Sequence, residues 1–208
     1  MVKVKICGVT RVEDAHAAIA AGGDAIGLNF YQKSPRFVSS EAAKAIVDAV
    51  GQRTLVVGVF VDTDPEEILK LKSEIGFQCV QFHGAEPPET VARFLPHAYK
   101  ALRVRGAEAL EESRRYPGRY LLLDAYVPGQ AGGTGATFDW KLAAEIARER
   151  DVTLAGGLTP ENVADAIRAV HPFCVDVASG VESAPGIKDH ARMELFVREA
   201  RTALEIQS

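Results

Sequence analysis

Lys3-Val4-Lys5-Ile6-Cys7-Gly8-Val9-Thr10 is the stretch on which the reading of this chain turns. Val4 and Ile6 alternate with Lys3, Lys5 and Cys7. That is the period of a strand, with one apolar face and one face carrying amines and a thiol. If the apolar face packs outward against helices, the other face looks into an interior polar enough for lysine. We expect that interior to be the axis of a closed barrel, with Cys7 at its open mouth and Gly8 turning the chain into a helix.

Working outward, the strand–turn–helix unit repeats to the end of the chain. Further strands are expected at Asp24–Phe30, Leu55–Val61, Gln78–Phe82, Tyr99–Val104, Tyr120–Asp124, Val152–Ala155 and Phe173–Ala178. Helical patterns fall between them. They cover Arg11–Ala21, Ser40–Val50, the run opened by Asp64-Pro65-Glu66, Pro88–Leu95, Ala107–Arg115 and Asp139–Arg148. Thr159-Pro160-Glu161 is expected to cap a seventh helix running to about Val170, and His190–Ile206 forms the last. Gly22-Gly23 stops the first helix, and Pro65 suits a first helical position after an Asp cap. Regular alternation implies a parallel sheet. Eight units fit a compact (β/α)8 TIM barrel, one α/β domain over residues 1–208. An open doubly wound sheet is the alternative.

Composition narrows the function. The net charge of −4 offers no footprint for nucleic acid, and no apolar run is long enough for a membrane span. The three cysteines, Cys7, Cys79 and Cys174, are widely spaced and odd in number. That fits neither a disulfide framework nor a zinc site, so a reducing, cytoplasmic setting and no metal are expected. Monomer and homodimer both stay open.

In such a barrel the chemistry gathers at the C-terminal strand ends. Those positions hold Cys7, Asn29 with Arg36 in the loop beyond, Gln81 and His83, Arg103, Asp124, Gly156-Gly157, and Asp176 followed by Ser179-Gly180. Glycine and serine after the seventh and eighth strands suit a phosphate held by backbone N–H groups. The alternative is that these glycines only close turns. The loop GQAGGTGAT, with Gly133 and Thr134, lacks a Walker A ending and reads as a lid. Cys7 and Asp124 are the acid–base candidates; the other readings are a small buried hydrophobe for Cys7 and an N-cap or loop-bracing carboxylate for Asp124. Lys5, about 7 Å below Cys7 on the same face, would favour the thiolate, unless Asp176 on the neighbouring strand neutralises it. Arg36 suits a carboxylate; solvated loop arginine is its other reading. His83 reads as a hydrogen-bonded mouth residue.

The motifs KICG, SPR, QFHG, LLLD, GGTGATFDW, AGGL and DVASGVE occur in that order and resemble phosphoribosylanthranilate isomerase over nearly the whole chain. The resemblance implies a (β/α)8 barrel and an Amadori rearrangement of a phosphorylated aminoaldose in tryptophan biosynthesis, without a cofactor. It implies Asp124 as general acid, Cys7 as general base, Arg36 on the anthranilate carboxylate, and the two glycine loops on the phosphate. Indole-glycerol-phosphate synthase, which needs a lysine acid where this chain has cysteine, and a non-catalytic phosphate-binding barrel are the rival readings.

Overall fold

The structure, a computed structural model, describes residues 1–104, 106, 108–124 and 140–204. Eight parallel strands close into a barrel in sequence order: β1 (Lys3–Cys7), β2 (Ala25–Asn29), β3 (Leu55–Phe60), β4 (Cys79–Phe82), β5 (Ala98–Arg103), β6 (Tyr120–Asp124), β7 (Asp151–Ala155) and β8 (Cys174–Val177). β1 pairs with both β2 and β8, so the first strand sits between the second and the last. The doubly wound alternative is thereby excluded.

Helices α1 (Val12–Ala20), α2 (Ser40–Val50), α3 (Pro65–Ile75), α4 (Pro88–Ala92), α5 (Glu108–Arg115), α6 (Trp140–Glu149), α7 (Val163–Val170) and α8 (His190–Thr202) follow the strands in turn. Local chemistry fixes several starts. The Ser39 side chain accepts from Ala42 N ahead of α2, and Asp64 accepts from Glu66 N and Glu67 N ahead of α3, with Pro65 at its first turn. Gly76, left-handed at φ 91°, ends α3.

Strand alternation sorts the side chains. Val4, Ile6, Val56, Val80, Phe82, Leu121 and Leu123 join the helices in the outer core. Val57, Tyr99, Ala101, Leu122 and Ala155 form a second cluster inside the barrel. Lys5 and Cys7 share the inward parity, and Gly27 makes room for them. A Cβ there would meet Cys7 Sγ at 2.8 Å and Lys5 Nζ at 3.1 Å.

Beyond one-residue shifts at element ends, four features differ from the sequence reading, the first being that α8 ends at Thr202 rather than Ile206. α4 ends at Ala92 rather than Leu95. α7 starts at Val163, not Thr159, because side chains close a turn first: Thr159 N donates to Asn162 Oδ1 and Glu161 N to Thr159 Oγ1. Between β8 and α8 the chain makes a 3-10 turn (Ser179–Val181) and a small antiparallel hairpin, β9 (Glu182–Ala184) and β10 (Ile187–Lys188), which the sequence reading did not anticipate.

Candidate active site

The inward-facing strand ends bring the expected residues to one mouth. Cys7 ends β1 and Asp124 ends β6. The two strands lie three steps apart around the ring, through β8 and β7.

Beneath Cys7, Lys5 and Asp176 form a buried ion pair at 3.0 Å, directly opposite each other in the β1–β8 register. Burial disfavours the Lys5 ammonium, but the negative charges of Asp176 and Cys7 outweigh it and hold its pKa above the ordinary lysine value. The Cys7 thiol is pushed up, first by burial and then by Asp176, against the opposing pull of Lys5 and Lys188. Lys5 does pull the Cys7 pKa down, but burial and Asp176 outweigh it, so the net effect does not favour the thiolate; Lys5 is paired with Asp176, the second of the two readings the sequence allowed.

His83 stands beside the proposed acid, its Nε2 3.3 Å from Asp124 Oδ2. On the ring's far side Gln81 Nε2 lies 2.9 Å from Nδ1, and Gln81 Oε1 accepts from the Tyr99 hydroxyl at 2.9 Å. With the amide donating to Nδ1, the ring proton sits on Nε2 and faces the carboxylate.

Arg36 lies in the loop after β2, which Asn29 shapes: Asn29 Oδ1 accepts from Tyr31 N, and its Nδ2 donates to Ser34 Oγ. Its guanidinium already meets a carboxylate. Nε and Nη2 donate to Glu182 at 2.8 and 2.7 Å. Lys188, its side chain fully buried, donates to Glu182 Oε1 at 3.0 Å, to Cys7 O at 2.6 Å and to Ala178 O at 3.1 Å. Sequence reasoning passed over Glu182 and Lys188, although Glu182 closes the DVASGVE motif; their partners lie up to 181 positions away.

The loops after β7 and β8 touch. A Cβ on Gly180 would come within 2.0 Å of Leu158 O, so only glycine permits the approach. Gly156 and Gly157 take left-handed φ of 91° and 66°. The Gly157 carbonyl accepts from Asn162 Nδ2, and the Gly180 carbonyl from Arg192 Nε. In a trans peptide the following N–H points the opposite way. Ser179 is exposed at the start of the 3-10 turn. The proposed lid residues Gly133 and Thr134 lie outside the described residues. Among the described residues no cluster of His, Cys, Asp and Glu could hold a metal, and no helix is long and apolar enough to cross a membrane.

A family profile described as N-(5'-phosphoribosyl)anthranilate (PRA) isomerase matches residues 4–199. The chain belongs to this family. A relative named N-(5'-phosphoribosyl)anthranilate isomerase from Thiobacillus denitrificans is 47% identical, with 97% of this chain and 99% of that protein covered. One of the same name from Myxococcus xanthus is 48% identical, with 97% of each covered. Among solved structures, phosphoribosyl anthranilate isomerase from Thermotoga maritima superposes with a TM-score of 0.87 at 42% identity, covering 97% of this chain and 99% of that one. Another phosphoribosyl anthranilate isomerase structure holds reduced 1-(o-carboxyphenylamino)-1-deoxyribulose 5-phosphate. It superposes at 0.84 and 39% identity, with 97% and 99% covered.

Proposed function

We infer that this chain catalyses the Amadori rearrangement of N-(5-phosphoribosyl)anthranilate to 1-(2-carboxyphenylamino)-1-deoxyribulose 5-phosphate, an isomerase step of tryptophan biosynthesis. Cys7 is the general base and Asp124 the general acid. The observation that carries the reading is the inward placement of a thiol and a carboxylic acid at one mouth, within a chain that belongs to the PRA isomerase family.

The chemistry needs two proton transfers. Asp124 protonates the furanose ring oxygen, the ring opens, and the anilino nitrogen's lone pair forms an iminium. That cation makes the proton on C2 acidic. Cys7 thiolate removes it to give an enolamine, which tautomerises to the ketone. The His83 ring, held by Gln81, orients the Asp124 carboxyl group toward the ring oxygen. The loops at Gly156-Gly157 and Ser179-Gly180 bind the phosphate, and Arg36 binds the anthranilate carboxylate. Tethering both ends of the substrate places C2 and the ring oxygen between base and acid. The substrate's own nitrogen is the electron sink, so the residues named suffice for the proton transfers. The partner is a small phosphorylated molecule; the net charge of −4 opposes nucleic acid.

Steady-state kinetics on Cys7→Ala and Asp124→Asn, with a binding titration using a reduced product analogue, test the assignment. Each substitution is expected to lower kcat by at least about 10²–10⁴-fold, the usual worth of one positioned acid or base, with binding retained. Near-normal turnover in Cys7→Ala would remove the thiol from the mechanism.

A further inference from the structure

We propose that Glu182 is a positioning residue that selects which edge of the Arg36 guanidinium meets the substrate, and thereby sets preference for a substrate bearing the ortho-carboxylate. The proposal rests on the reading of Arg36 given above.

A guanidinium carries five N–H donors in one plane. Glu182 takes two of them, on Nε and Nη2, in parallel bonds of 2.8 and 2.7 Å. The three that remain lie on Nη1 and the outer side of Nη2. They form the end-on fork that suits a second carboxylate. Arg36 alone would be a long, freely rotating side chain, and fixing it on binding would cost affinity.

Glu182 can do this because it is itself fixed. Its side chain is 5% exposed, and its Oε1 also accepts from Lys188 Nζ at 3.0 Å. The Lys188 ammonium is anchored to the carbonyls of Cys7 and Ala178. The Arg36 stem crosses Gly8, where a Cβ would lie 2.5 Å from Arg36 Cδ, so the arginine is confined from below as well. Arg36, Lys188 and Glu182 sum to one net positive charge, which a substrate carboxylate neutralises. The segment from Ser179 to Lys188 thus carries part of the phosphate loop, the clamp on Arg36 and a brace on the base strand.

The test compares KM for N-(5-phosphoribosyl)anthranilate and for N-(5-phosphoribosyl)aniline, which lacks the carboxylate, in wild type, Arg36→Met, Glu182→Gln and Glu182→Asp. KM does not depend on the active fraction, so partial unfolding leaves the ratio intact. Glu182→Gln is expected to raise KM for the anthranilate substrate on the order of tenfold, the usual scale for a bond to a charged group, and to leave the aniline substrate within about twofold. Glu182→Asp, which keeps the charge but draws it back, is expected to give an intermediate ratio, and it carries the test if Glu182→Gln does not fold. A wild-type ratio in the Glu182 variants, or an equal rise for both substrates, overturns the proposal, provided Arg36→Met has shifted the ratio. An unshifted ratio in Arg36→Met overturns the carboxylate role of Arg36 and the proposal with it.

Discussion

The Cys7 thiol sits above an ion pair that spends most of the help Lys5 could give it. Burial and the Asp176 carboxylate keep its pKa above the ordinary thiol value. The base form is the thiolate, so its population grows as pH rises. The rising limb of kcat/KM against pH is therefore expected to lie above the range of an ordinary thiol in the free enzyme. Asp176→Asn removes the opposing charge and releases Lys5, so the midpoint is expected to move to lower pH. A limb that stays in place would show that Asp176 does not act on the thiol. The placement of Cys7, Asp124 and Arg36 at the barrel mouth was legible in the sequence because each ends a strand or follows one closely. Glu182 and Lys188 were not. A charged residue in a loop reads as solvated until its distant partner is known, and the ion pairs of Glu182 reach back to Arg36.

At the level of elements, the strands were readable because each is a short alternating or continuously apolar run of four to six residues set between helical patterns. The β9–β10 hairpin was not, since three- and two-residue strands carry too little alternation to stand out. The start of α7 was misplaced because Thr159 and Asn162 satisfy backbone groups that a helix would otherwise use. The contact between the β7 and β8 loops depends on one missing Cβ. Gly180→Ala is expected to push Ser179 and Gly180 away from Leu158 and weaken phosphate binding, while the barrel stays folded. Calorimetric titration with inorganic phosphate, alongside circular dichroism, measures both; unchanged phosphate affinity would argue against these loops as the anion site.

Across the whole molecule, Lys5–Asp176 lies at the seam where the first and last barrel strands meet. Removing one member of a buried pair leaves an uncompensated charge and costs about 3–5 kcal/mol, whereas replacing both with apolar groups is often near neutral. Lys5→Met alone is expected to lower the urea midpoint strongly, and Lys5→Met/Asp176→Leu to recover most of it. Additive losses in equilibrium unfolding would mean the two charges do not depend on each other. The closed ring itself was legible from eight repeats, but this seam was only one of two readings the sequence allowed for Lys5.

The brace from Lys188 to the Cys7 carbonyl spans 181 positions of sequence. On a ribosome, the strand carrying the thiol emerges well before its brace and its β8 neighbour. A nascent chain halted before about residue 190 would hold the sulfur without the clamp around it. Turnover is thus a property the polypeptide acquires only once the segment from β8 to β10 has been made, and fragments released before it would be inert whatever residues they contain.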